Sequence, residues 1–379
     1  MFLHIIAGDS KFPRLIREMF ELVDPGNHCY AIIPWAGVSY SADENFNVIQ
    51  KKEDLERVLS LSDEWQGVIF NGVLGAAAQY LDIIPNKIKC CWFVWGFELY
   101  GLKYPASFGL LESKTFKFAI SDLWGRGAGR LVRPLIVKLM GPLSSSRRVL
   151  KRMSYVVTHL EAEYELFNSW GYFERRNKWH EAPVIGLSSL IDCSCETDPV
   201  AALEGRSMLD ILVGNSATPT NNHVDVFVRL SHLDLVGRKI VVPLSYGKPR
   251  YREFVIKHGE RLLGDHFSPI LEFLPLNEYL LRIESCGSVI MNLHRQQGVG
   301  NIIAALWAGR NVYLGNSSVL TDYQKKGLDV LSYKDEFDLG RALPSGGQLK
   351  ARRKCIESMM GNEAVFRSIS DLLEKLSSN

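Results

Sequence analysis

Short runs of β-branched and aromatic residues alternate along the chain with stretches in which apolar residues recur every three or four positions. In the first half the short runs are FLHIIA (2–7), HCYAIIP (28–34), GVIFNG (67–72), IKCCWFVWG (88–96) and YVVTHL (155–160). Each reads as a strand, and helical patterns such as 13–22 and 73–83 lie between them. In the second half the strand-like runs are LDILVGN (209–215), KIVVPLS (239–245), ILEF (270–273), SVIMNL (288–293) and NVYLG (311–315). Helices fit 223–233, 249–262, 276–285 and 300–308. Strand and helix alternating in this way build parallel sheets from βαβ units. Two such series in tandem predict an α/β chain of two Rossmann-like domains. The segment CSCETDPVAALEGRS (193–207) is polar, carries Pro199 and Gly205, and lacks periodicity. It divides a first domain at 1–200 from a second at 207–350. An amphipathic helical segment, 351–379, closes the chain.

Composition narrows this only at a few points. At 379 residues the chain is too long for one ordinary core. Net charge is +2, so the molecule as a whole is not built to bind polyanions. Seven cysteines, an odd number, stand mostly in apolar runs and read as reduced thiols. Cys193-Ser-Cys195 has no second ligand pair at metal spacing, so no metal site is expected. The opening MFLHII lacks the basic region of a signal peptide. No run approaches the ~20 apolar residues of a membrane-spanning helix. These features suit a protein of the cytosol or of the inner face of a membrane.

In open α/β sheets, ligands bind beyond the carboxyl ends of the strands. That rule selects three loops in the second half. The first is HRQQGVGN (294–301), a polar knot between a buried strand and a buried helix. Gly298 and Gly300 permit close backbone approach, and the helix that follows offers free N–H groups and a positive dipole end to a phosphate. Arg295 can clamp a diphosphate through parallel hydrogen bonds. Gln296, Gln297 and Asn301 can meet phosphate or sugar oxygens. The knot is neither a dinucleotide fingerprint, because Ile303 stands at the third glycine position, nor a P-loop. The second loop is VGNSATPTNNHV (213–224), with Asn215, Ser216 and the plausible helix cap Asn222. The third is VPLSYGKPRY (242–251), with Ser245 and Tyr246. An ordinary capped turn with solvated side chains is the competing reading of each. In a parallel sheet all three converge.

In the first half, Asp9 follows the first strand and Glu98 the fourth. Both are candidates for the general base that activates a hydroxyl, and helix capping is the competing role. Between Lys114 and Arg152 there are ten Lys or Arg against one acid, Asp122, interleaved with aromatic and aliphatic residues. Such a stretch, with Arg147, Arg148, Lys151 and Arg152 at its end, suits an anionic membrane surface. A solvated basic face is the alternative. No nucleic-acid motif is present and no nucleic-acid partner is expected. The chain contains no Asp-x-Asp.

ILVGNS with NNHV, VVPLSY, WGFELY and above all RQQGVG resemble glycosyltransferase family 56, the TDP-N-acetylfucosamine:lipid II N-acetylfucosaminyltransferase family. The resemblance is densest from Ile211 to Leu314 and extends loosely back to HIIAGD. It implies a GT-B fold, two Rossmann-like domains facing a central cleft, with the donor nucleotide mainly on the second, the acceptor on the first and the last helix returning to the first. It implies transfer of a 4-acetamido-4,6-dideoxygalactose from a dTDP-sugar to a polyprenyl-diphosphate-linked saccharide in enterobacterial common antigen assembly, or of a related sugar in O-antigen or capsule. Such an enzyme works at the cytoplasmic face of the bacterial inner membrane. No cofactor is expected, and the absence of Asp-x-Asp implies donor binding without metal. Many GT-B enzymes carry a ribose-binding glutamate on the helix after the glycine loop; here that helix reads NIIAALWAG, with no acid. A non-catalytic nucleotide-sugar-binding protein and a nucleotide-sugar epimerase of the two-Rossmann type are the alternatives.

Overall fold

The structure is a computed structural model, and it describes all residues except 9–10, 35–45, 73–78, 104, 125–143, 184, 192–208 and 379. The chain forms two compact units. One comprises Met1–Lys103, Val137–Leu190 and Glu357–Asn379; the other comprises Tyr104–Ile136 and Ile191–Ile356.

Among the described residues the first unit has seven parallel strands: β1 (Phe2–Gly8), β2 (His28–Pro34), β3 (Asn47–Val48), β4 (Gly67–Asn71), β5 (Cys90–Phe93), β6 (Tyr155–Thr158) and β7 (Lys178–Glu181). Their order across the sheet is β3-β2-β1-β4-β5-β6-β7. The second unit has β8 (Asp210–Val213), β9 (Ile240–Pro243), β10 (Phe267–Ile270), β11 (Cys286–Met291), β12 (Asn311–Leu314) and β13 (Leu331–Ser332), in the order β10-β9-β8-β11-β12-β13. Both sheets are doubly wound, and each reverses beside its first strand. Leu3, Ile5, Ile69, Val156, Ile211, Leu212, Val213, Val242 and Ile290 are wholly buried. Parallel strands covered on both faces need such continuous apolar runs, which is why the strands stand out in the sequence.

The expected strand at 270–273 lies three residues earlier, at β10. Its register with β9 pairs Phe267 with Ile240 and Ile270 with Pro243. Pro269 is tolerated because β10 is an edge strand. Leu271 and Phe273, assigned to the strand from their apolarity, stand exposed beyond its end.

One segment lies away from where a division near residue 200 puts it. The helix Ser113–Trp124 packs with the second unit. Phe118 stacks on Phe254, ring centroids 4.4 Å apart, and leans on Tyr251. Arg250 pairs with Asp122 at 2.7 Å. The chain's last segment is two helices, Gly346–Met360 and Asn362–Ser377, parted at Gly361, where a Cβ would come within 2.6 Å of the Glu357 carbonyl. The second of these packs on the first unit. Val365, Ile369, Leu372, Leu373 and Leu376 recur at helical spacing and join Phe2, Ile6, Phe20 and Tyr30 in one core. Gly67 admits the helix to the sheet, since a Cβ there would lie 3.1 Å from that of Leu376.

The last helix is therefore part of the first unit's core rather than an appendage. Leu372 is fully buried. Leu372→Ala is expected to cost about 2–5 kcal/mol. Urea denaturation reports this as a lower midpoint; an unchanged midpoint would show the helix to be dispensable.

Candidate donor site at the strand ends of the second unit

The three polar loops of the second sheet meet. Ala217 and Gly247 form an isolated parallel bridge, in which Ala217 N–H donates to the Tyr246 carbonyl and Lys248 N–H to the Ala217 carbonyl, each at 2.8 Å. Gly247 has φ +122°, and a Cβ there would lie 2.5 Å from the Ala217 oxygen, so only glycine lets these loops close. Asn215 Nδ2 donates to the Tyr246 hydroxyl at 3.2 Å. Gln297 Nε2 donates to Asn215 Oδ1 at 3.0 Å, and Thr220 Oγ1 donates to Gln297 Oε1 at 2.6 Å. Asn215 thus links all three loops.

The helix Val299–Trp307 starts at this junction. Gly298 precedes it in the left-handed region, φ +67°, with its Cα facing Asn215. The first-turn N–H groups of Val299, Gly300 and Asn301 have no acceptor within the helix. Asn301 Nδ2 donates to the Tyr279 hydroxyl. Arg295 is half-buried and its Nη1 donates to the Gln296 carbonyl at 3.1 Å. Gln296 is buried, and its Nε2 has no partner among the described residues. Ser216 is also buried and bonds inside its own loop, to Thr218 and, through its carbonyl, to Asn221. Ser245 is half-buried, and Tyr246 is 54% exposed, the most open of the predicted donor residues whose exposure decides what a ligand can reach.

Beneath these loops lies a polar layer that the sequence did not advertise. Asn222 does not cap the helix His223–Leu230 with its side chain. It sits in the left-handed region, φ 51°, fully buried. Its Nδ2 donates to the carbonyls of Leu110 and Asn292 at 3.2 and 3.1 Å, and its Oδ1 accepts the Glu112 N–H at 2.8 Å. Asp225 accepts the N–H groups of Lys114 and Thr115 and the Thr115 hydroxyl, and so caps the helix Ser113–Trp124 from outside it. His223 is fully buried; its Nδ1 meets the Tyr251 hydroxyl at 3.2 Å. Burial pushes its imidazole down to about 3, so it is neutral. Its Nε2 lies where a Cβ on Gly214 would come within 2.4 Å, and Gly214 has φ +72°.

His294 Nε2 lies 3.3 Å from Glu112 Oε1. The bond to Glu112 raises the imidazole above its ordinary range, against the opposing effect of burial. Burial pushes the Glu112 carboxyl up, but the bond from His294, with the Asn292 amide nearby, outweighs it and holds the carboxyl low. Asp225 adds to the field on His294, and Lys334 to that on Glu112. The His294–Glu112 pair thus stands directly before Arg295.

Of the candidates in the first unit, Asp9 lies outside the described residues. Glu98 is in the first turn of the helix Phe97–Lys103, and its Oε2 accepts the Trp95 N–H at 3.0 Å, a capping contact. Arg148 and Lys151 are exposed and form long ion pairs with Asp82 (3.6 Å) and Glu174 (3.9 Å). Arg152 instead donates through Nη2 to the carbonyls of Pro85 and Ile88, both at 2.8 Å. Arg147 lies in the helix Ser144–Arg152. Cys193 and Cys195 lie outside the described residues. Among the described residues, no helix is long and apolar enough to cross a membrane.

Two doubly wound parallel sheets in tandem make up the GT-B fold, and solved glycosyltransferase structures of that fold agree. A sucrose-phosphate synthase from Thermosynechococcus elongatus is similar over 99% of each chain, at 10% identity and a TM-score of 0.62. An alpha,alpha-trehalose-phosphate synthase (UDP-forming) from Burkholderia vietnamiensis matches 99% of this chain with all of its own, at 9% identity and a TM-score of 0.61. A glycosyltransferase from Rickettsia africae is similar at a TM-score of 0.55 and 10% identity, over 100% of this chain and 99% of its own. At such identities the likeness concerns the fold. The profile of the 4-alpha-L-fucosyltransferase family, glycosyltransferase group 56, matches residues 158–354, more than half of the chain. The chain belongs to that family and is a glycosyltransferase, an enzyme that takes a nucleotide-sugar donor and an acceptor.

The His294–Glu112 pair makes stability pH-dependent. A raised imidazole contributes fully below its ordinary value of 6.5 and loses the contribution as pH rises through the raised value. A lowered carboxyl contributes fully above its ordinary value of 4.5 and loses it as pH falls through the lowered value. The stability difference between wild type and His294→Gln, followed by urea denaturation across pH, is expected to peak between those two values and shrink on either side. A difference that does not vary with pH would show that the pair carries no net charge interaction.

Proposed function

We propose that the chain moves a 4-amino or 4-acetamido-4,6-dideoxyhexose from a dTDP-sugar to a polyprenyl-diphosphate-linked saccharide. The setting would be bacterial surface polysaccharide synthesis, enterobacterial common antigen, O-antigen or capsule, at the cytoplasmic face of the inner membrane. One observation carries the donor part: the loop ends of β8, β9 and β11 are hydrogen-bonded to one another around the start of the helix Val299–Trp307. Family membership and the motifs RQQGVG, VGNS and PLSY support the sugar and acceptor.

In this reading the diphosphate lies against the Gly298–Asn301 backbone, where the helix dipole favours an anion. Arg295 faces the diphosphate with a planar fork of donors. Asn215, Gln297, Ser245 and Tyr246 line the rest of the donor site. Gln296 and Ser216 support the loops from below. As the acceptor hydroxyl attacks the anomeric carbon, a carboxylate of the first unit takes its proton, Asp9 first in preference and Glu98 second. The bond to the departing dTDP breaks with its electrons, and Arg295 and the helix N-terminus meet the charge that develops. Arg147, Arg148 and Lys151 face an anionic bilayer, while Arg152 is held by carbonyls and supports the fold.

Arg295→Ala is expected to weaken dTDP binding by roughly ten- to a hundredfold, the loss of a charge-assisted hydrogen bond of about 1.5–3 kcal/mol. Thymidine, which has no phosphate, should bind both proteins alike. Equal dTDP affinity by calorimetry in the two proteins would remove the arginine from the site.

Asp9→Asn keeps size and removes the proton acceptor. Turnover, read by mass with a panel of dTDP- and UDP-sugars and a lipid-diphosphate acceptor, is expected to fall ~10²–10⁴-fold, with donor affinity kept. Normal turnover in Asp9→Asn with a dead Glu98→Gln would move the role to Glu98. Normal turnover in both would exclude base catalysis from these carboxylates.

A further inference from the structure

The amino edge of the first sheet gathers positive charge. β5, β6 and β7 all begin beside one open cleft of two adjoining lobes, about 540 and 460 Å³, which share Lys151, Arg152 and Arg176. Lys89 and Lys178 line one lobe and Arg148 the other. These six cations come from three separate parts of the chain. Only the helix Ser144–Arg152 lies in the basic stretch that the sequence singles out. Lys89 precedes β5, Arg176 sits in the turn before β7, and Lys178 opens β7. The fold has therefore gathered charge here beyond what one basic helix face would show.

The neutralising acids are few and weakly engaged. Asp82 lines one lobe and pairs with Arg148. Glu174 answers both Lys151 and Arg176, at 3.9 and 3.1 Å. Arg148, Lys151 and Arg176 are each more than half exposed in these pairs. Exposed pairs of this kind contribute little and exchange readily for a phosphate. Lys89 is held by carbonyls at the end of the last helix, and Arg152 by those of Pro85 and Ile88, so the floor of the cleft is fixed.

We propose that this cleft is a binding site for the phosphate groups of an anionic bilayer. The proposal rests on the membrane part of the function proposed above and deepens it by adding Lys89, Arg176 and Lys178. Lys89 and Lys178 line only one lobe and Arg148 only the other, so the charge extends past the shared Lys151, Arg152 and Arg176, which suits several headgroups better than one small anion. The cleft is at the amino ends of the strands, the opposite edge of this sheet from Glu98. Lipid held here leaves the carboxyl-end loops unobstructed.

The test is co-sedimentation with phosphatidylcholine vesicles, with and without phosphatidylglycerol. Two double variants are compared: Arg176→Gln with Lys178→Gln, and Arg148→Gln with Lys151→Gln. Each removes two cations, so each is expected to weaken binding to the anionic vesicles about thirtyfold, at about 1 kcal/mol per basic residue. Unchanged urea midpoints show that both variants are folded. If the Arg176/Lys178 pair binds normally while the Arg148/Lys151 pair is impaired, the cleft is not the site and the membrane reading of the basic helix stands. If both bind normally, both readings fail. Calorimetric binding of inorganic pyrophosphate without vesicle binding would make this a soluble-anion site and overturn the bilayer proposal.

Discussion

Asn222 holds the carboxyl edge of the second sheet together. It is buried and its backbone is left-handed, a conformation that asparagine tolerates better than most residues. Its amide reaches Leu110 and Asn292, and its carbonyl oxygen takes Glu112 N–H. Loss of such a partner by a buried backbone group costs about 1–3 kcal/mol. The dependence continues outward. Glu112 so placed meets His294, and His294 stands immediately before Arg295. The position of the cation assigned to the diphosphate therefore depends on an asparagine that takes no part in the chemistry.

Asp225 plays the same kind of role nearby. Its carboxylate lies in the first turn of its own helix and caps another, so one charge meets two positive helix ends. Buried His223, kept neutral, packs under Gly214 and completes this layer. The loops above it are fixed by glycines at positions where a side chain would collide with backbone or ring. Rigidity at the strand ends thus comes from close backbone approach and the hydrogen bonds of Asn222 and Asp225 together.

Much of the fold was legible because parallel strands covered on both faces leave a continuous apolar signature. The three missed strands lack it. β3 and β13 have two residues each, and β7 reads Lys-Trp-His-Glu, a polar edge strand. The meeting of the three loops was legible from the sheet's geometry and from glycines and polar residues at strand-to-helix turns. The layer beneath was not. Asn222 with Glu112, and Asp225 with Thr115, pair residues about 110 positions apart, and no local pattern announces such partners. The central strands are marked by apolar pattern, while chemistry in such folds rests on loops free to differ.

The helix Ser113–Trp124 belongs to the first half by covalent order and to the second by energetics. That limits how this enzyme could be taken apart or recombined. A fragment beginning after the 193–207 segment would leave Phe254 and Tyr251 without the ring of Phe118, and Asn222 and Asp225 without the amides they serve. The second unit is therefore not a transplantable module in one continuous piece. A chimera that exchanges first halves between relatives must carry this helix with the half it supports, or leave a bare aromatic face and an unfilled polar layer under the very loops it aims to preserve.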